Sequence, residues 1–265
     1  MTVAAGKDCY ALGMAPCTGS GRSWTTAELD AAIAERVAGL VFDDDGKTDV
    51  AALLASVSET QFDKVAVSRI LADPDDVEDW RVGEAIADAY LTDHHGASFP
   101  WPDGRDERKS GSSLPGADLV GFCSDAAGEC FAFGEVKTSS DDKYPPQAMH
   151  GRTGLKQQLE DLRDRVDIRD GLVKYLAHRA RNAAWEGRYR SASRRYLADN
   201  NDVRVFGILV RDVVPNQNDL RVRVSKLGEN CPKGMVIQLF ALYLPPKGIP
   251  ALGEKVLAAR KAGGV

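Results

Sequence analysis

Three residues stand at a spacing that can do chemistry. Asp118 precedes one apolar run, LVGF, and Glu135 and Lys137 close another, FAFGEVK. Both lie in LPGADLVGFCSDAAGECFAFGEVKTSS, residues 114–140, which reads as two strands joined by a short turn. Residues two apart in a strand project to the same side, so Glu135 and Lys137 share a face. Centring the turn between Ala126 and Ala127 sets Asp118 across from Glu135. Opposed residues in an antiparallel pair have Cβ atoms about 4.5–5.5 Å apart. Two carboxylates that close repel and raise one another's pKa unless a cation sits between them. An all-oxygen donor set suits a hard ion such as Mg²⁺, with Mn²⁺ able to substitute. A lysine beside it can position or help deprotonate a water while the metal polarises a phosphoryl oxygen. Asp followed by Glu-x-Lys is therefore a minimal apparatus for phosphodiester hydrolysis. The bland alternative is an ordinary ion pair on a strand face.

The same register predicts Val120 against Phe133 and Phe122 against Phe131, an apolar wall behind the acids. It also sets Cys123 opposite Cys130. The small residues Gly116 and Gly134 flank the acids, where backbone or substrate can approach closely.

Other elements must position this hairpin. Residues 1–24 show no sustained periodicity and read as irregular in part. A helix follows, with Thr25 and Glu28 as a capping box and Leu29, Ile33, Val37 and Leu40 as its apolar stripe. FDDDGKTD reads as a turn, and VAALLASV and FDKVAVSRIL as two more helices. Residues 1–75 are thus expected to be an acidic, all-α segment, and residues 76–265 the main domain. Asp79 is a candidate cap for DWRVGEAIADAYL, which carries Glu84. Residues 92–113 read as a long loop holding His94, His95 and the basic cluster Arg105, Arg108 and Lys109. Adjacent histidines point in different directions, which argues against a metal site built on them.

After the hairpin, residues 155–197 read as a helix interrupted near Gly171, or as two helices. Between Lys174 and Arg195 seven bases, among them Arg179, Arg181 and Arg188, face one acid, Glu186. Trp185, Tyr189 and Tyr196 are interleaved. This is either a phosphate-contacting face with stacking groups or a solvated helix face. VRVFGILVRDVV and MVIQLFALYLP read as buried strands and LRVRVSKL as a half-exposed one, before a short terminal helix.

Composition sets the outer bounds. Of 265 residues, 43% are hydrophobic and 28% charged, with a net charge of −5. Residues 1–80 hold 15 acids and 6 bases; the rest hold 24 acids and 28 bases, a mild sign asymmetry favouring a basic C-terminal part. Five scattered cysteines with no C-x-x-C spacing point away from a zinc site or disulfide framework. No run is long enough to span a membrane, and MTVAAGKDCY lacks the pattern of a secretory signal. A cytoplasmic protein is expected.

PGAD-LVGF followed by FAFGEVK resembles the PD-(D/E)xK nuclease superfamily over roughly residues 80–213. The resemblance implies a restriction-endonuclease-like α/β fold: an αβββαβ core with a mixed sheet flanked by helices, one core strand falling somewhere within 96–117. It implies Asp118 and Glu135 as metal ligands, Lys137 as the catalytic lysine, and Glu84 as an accessory acid on the metal. Gln157 or Gln158 matches a contributing glutamine of the exonuclease-like branch, although the tyrosine that usually follows one turn later is absent. Pro115, three before Asp118, is displaced from its usual place. The pattern is also similar to nuclease subunits of bacterial defence systems, including Hachiman-type ones. The activity implied is Mg²⁺-dependent cleavage of DNA, in anti-phage defence or restriction, with a helicase or other subunit as a possible partner. The alternative is a non-catalytic nuclease-like module that binds nucleic acid or protein.

Overall fold

The computed structural model describes residues 2–106 and 116–263. The chain starts with a hairpin, β1 (Lys7–Met14) and β2 (Cys17–Ser23), in a segment where no element was expected and part was read as irregular. Thr25 then caps α1 (Thr26–Ala32) through the expected box with Glu28. The helix runs on through a π-helical turn (Ile33–Val37) into α2 (Ala38–Val41). FDDDGKTD is not a turn: Asp43 caps α3 (Asp44–Ala55) by accepting from Gly46 N, and Asp44 and Asp45 sit in its first turn, where acids complement the helix dipole. α4 (Gln61–Ile70) follows.

In α5 (Asp79–His95) the N-cap position is held by Glu78, which makes no side-chain cap bond; Asp79 is the first helical residue, and its carboxylate accepts from Gly253 N at 3.3 Å. The helix absorbs His94 and His95, so the loop starts later than expected. His94 Nε2 bonds Val3 O at 2.9 Å, and His95 packs on Phe240 with ring centroids 4.3 Å apart. A two-residue strand, β3 (Ala97–Ser98), comes next. Arg108, Lys109 and Pro115 lie outside the described residues.

β4 (Leu119–Asp125) and β5 (Gly128–Ser139) form the central hairpin. Asp125 Oδ1 accepts from Ala127 N at 2.8 Å, a side-chain bond that favours a tight turn. The partners are Val120 with Phe133, Phe122 with Phe131 and Cys123 with Cys130, the register expected. The helical region then divides into α6 (Leu155–Asp164), α7 (Val166–Ala180) and α8 (Glu186–Ala198). Its breaks fall at Arg165 and at residues 181–185, with Gly171 inside α7. β6 (Val203–Arg211) is followed by α9 (Arg221–Glu229), β7 (Val236–Tyr243) and α10 (Leu252–Gly263). LRVRVSKL, expected as a strand, is thus mostly helix α9.

The protein is an α/β fold on one mixed seven-stranded sheet, ordered β1-β2-β7-β6-β5-β4-β3. β2, β7, β6 and β5 run parallel; β1, β4 and β3 pair antiparallel to their neighbours. The first hairpin joins this sheet through β7, so residues 1–75 are not all-α, and the sheet crosses the expected boundary at 75/76. One apolar cluster joins the sheet to α1, α5 and α10 through Leu29, Ile86 and Val256. The other joins the opposite face to α6 through α9 through Leu159, Leu176, Tyr196 and Val224. Among the described residues, no helix is long and apolar enough to cross a membrane.

Candidate active site

Asp118 sits immediately before β4, where the hairpin register carries it toward Glu135. Its Oδ2 accepts from Val136 N at 2.8 Å, which fixes the carboxylate against the partner strand. Lys137 Nζ lies 3.4 Å from Asp118 Oδ2 and 3.6 Å from Glu135 Oε2. The three residues that the sequence singled out are therefore in contact. Strand alternation puts Glu135 and Lys137 on the face of Phe131 and Phe133, which are fully buried and hold the strand rigidly.

Glu135 is only 2% exposed, and its Oε2 has no hydrogen-bond partner. Burial, and then the charge of Asp118, push its pKa well above the ordinary carboxylate value. Both effects disfavour the charged form, and the lysine offsets them only in part.

Glu84 comes from the opposite layer. It is placed there by close packing of α5 on β5: a Cβ on Gly83 would lie 2.0 Å from Thr138 Oγ1, so only glycine permits the approach. Burial and Asp118 raise Glu84 to a pKa of about 8, against a smaller pull from Arg81. Glu84 and Asp118 line one cavity of about 140 Å³, with Arg81 and Asp103. Glu135 and Lys137 do not line it. Among the described residues, three acids are not gathered at one point; Asp118 and Glu135 converge on Lys137, and Glu84 joins them through the cavity it shares with Asp118.

Arg81 and Asp103 were not foreseen. Arg81 could have been found, since it stands one turn before Glu84 on the same helix face. Asp103 belongs to a short loop helix with no periodic signal.

The donors present fit a hard divalent cation. They are carboxylate oxygens, one of them buried without a hydrogen bond, and burial without an ion disfavours the charge of Glu135 and Glu84.

The residues expected on nucleic acid fare differently. Arg179 makes two bonds to Asp106, at 3.1 and 2.7 Å, and stacks on Tyr175. Arg188 binds Glu129, Arg190 binds Glu186, and Arg195 binds Asp125 and Asp202. Lys174, Arg181 and Arg194 are exposed. The interleaved aromatics point inward: Trp185 packs on Phe122, and Tyr189 and Tyr196 on Phe131. They serve the core and are not a stacking surface. Gln157 donates to Asp161 at 3.0 Å, whereas Gln158 keeps a buried Oε1 without a partner.

No protein-family model matches the chain, and no curated protein matches it.

Proposed function

We propose that the protein is a metal-dependent nuclease of restriction-endonuclease-like architecture that hydrolyses phosphodiester bonds, DNA being the favoured substrate. One observation carries the reading: a buried carboxylate, Glu135, whose Oε2 has no hydrogen bond, is bridged by the Lys137 charge to Asp118, which shares a cavity with Glu84. An ordinary surface ion pair explains none of the burial. The order α5, β3, β4, β5, then helices and β6, supports an αβββαβ core.

Asp118, Glu135 and Glu84 would hold Mg²⁺, or Mn²⁺ in its place, which when bound supplies Lewis-acid polarisation of a phosphoryl oxygen. Lys137 contributes a fixed positive charge and a hydrogen-bond donor that orients water and stabilises charge developing on the phosphate. The Val136 N–H holds Asp118 in place, so little reorganisation accompanies the reaction. A role in anti-phage defence or restriction beside a helicase or other subunit, inside a cell, extends the same reading.

The test is incubation of plasmid and linear DNA with the purified protein and Mg²⁺. The expected result is cleavage to 5′-phosphate ends, lost in Lys137→Ala. Equal activity in the two proteins would overturn the assignment. The internal pairing of Arg179, Arg188 and Arg195 favours a second reading, a non-catalytic module. Calorimetric titration with Mg²⁺ separates the two, since such a module has no reason to bind the ion near Asp118.

A further inference from the structure

The hairpin of α3 and α4 has an unusual surface. Neither helix has a buried residue. Of ten large apolar residues exposed among those described, six lie here: Val50, Leu53, Val57, Phe62, Val65 and Ile70. Phe62 is 83% exposed and Leu53 70%. Val50, Leu53 and Val57 follow helical spacing and form one stripe. Exposed apolar residues grouped this way mark interaction sites.

The hairpin is fastened by charge rather than by burial. Arg260 binds Asp44 and Asp73, Lys47 binds Asp73, and Arg105 makes two 2.7 Å bonds to Asp43. Beside it lies a cleft of about 830 Å³, lined in part by Phe42, Val50, Ile70 and Trp101.

The charge around this surface selects its partner. Residues 43–79 hold eleven acids and three bases. Asp45, Asp49, Glu59, Asp75, Asp76 and Glu78 are exposed and have no ion-pair partner among the described residues. Such a rim repels nucleic acid and attracts Lys and Arg. We infer that the α3–α4 face docks a helical segment of a partner protein whose apolar residues are bordered by lysine and arginine. The inference is independent of the phosphodiesterase reading. Arg105 also lines the cavity of Glu84 and Asp118, so a docked segment would touch the element that borders the site.

The test is selection of phage-displayed random peptides on the full chain. Binding is then compared with that to a Leu53→Ser, Phe62→Ser variant, whose exposed substitutions leave the thermal midpoint unchanged. The expected outcome is enrichment of basic peptides with apolar residues at helical spacing that bind the variant about tenfold more weakly or less. Absence of enrichment, enrichment of acidic peptides, or equal binding to both proteins overturns the inference. So does a dimer in ultracentrifugation that the variant abolishes, since the occupant is then a second copy.

Discussion

Asp118 and Glu135, drawn from the two arms at the open end of one hairpin, share a single ammonium. Lys137 Nζ stands 3.4 Å from the first and 3.6 Å from the second. Removing that charge leaves two neighbouring carboxylates with nothing between them, one of them buried. Lys137→Met is expected to lower stability by about 1–3 kcal/mol at pH 8, below the full cost of breaking a buried pair because the lysine is partly solvated. The loss shrinks at pH 5, where Glu135, pushed up by burial and by the charge of Asp118, takes up its proton. Denaturant unfolding at the two pH values checks this; an equal loss at both would detach the lysine from the acids.

Glu84 predicts a pH dependence of its own. Its folded pKa of about 8 stands above the ordinary value of 4.5, so between these values the folded protein binds more protons than the unfolded one. Its contribution is fully present below about pH 4.5 and is lost as the pH rises through about 8. Metal-free thermal scans should show Glu84→Gln more stable than the wild type at pH 8.5, with the difference vanishing near pH 4.5. Parallel curves would show that Glu84 is not held in its neutral form.

The hairpin was legible because one turn fixes every pairing: Asp125 and Gly128 bracket two residues, and a shift by one would turn the Phe131–Phe133 wall outward. The first two strands were not legible. β2 reads CTGSGRS, with no apolar alternation, because its interior is filled by neighbours. A Cβ on Gly21 would lie 2.4 Å from the Tyr10 ring. α9 was misread because Arg221 to Val224 alternate at period two. The deciding signal was Leu220, Val224 and Leu227, all buried, at helical spacing. Arg179 and Arg188 looked available because their acids are distant in sequence; Asp106 and Glu129 enter only through the fold.

Gly83 tests whether the placement of Glu84 depends on helix–strand contact. Alanine ordinarily stabilises a helix interior by about 1 kcal/mol relative to glycine. Here its Cβ would meet Thr138 Oγ1 at 2.0 Å, so overpacking wins and Gly83→Ala should cost about 1–3 kcal/mol. Adding Thr138→Gly to that variant should recover part of the loss. An increase in stability for Gly83→Ala alone would mean that the two elements are free to separate.

Arg211 offers a second lever on the segment after Lys137. It is fully buried, donates to Ser139 O and Lys143 O at 2.9 Å each, and faces Asp219 at 3.5 Å. Asp219 also accepts from Tyr243 at 2.8 Å, and burial raises its pKa. Two roles are therefore combined: tethering the chain beyond β5 and neutralising a buried acid. Arg211→Met strands Asp219 and should cost about 3–5 kcal/mol. In the Arg211→Met, Asp219→Asn pair the stranded charge is gone, so denaturant unfolding should show at least about 1 kcal/mol recovered relative to additivity. If the losses simply add, the arginine acts through the tether alone, and the carbonyls of Ser139 and Lys143 account for its burial.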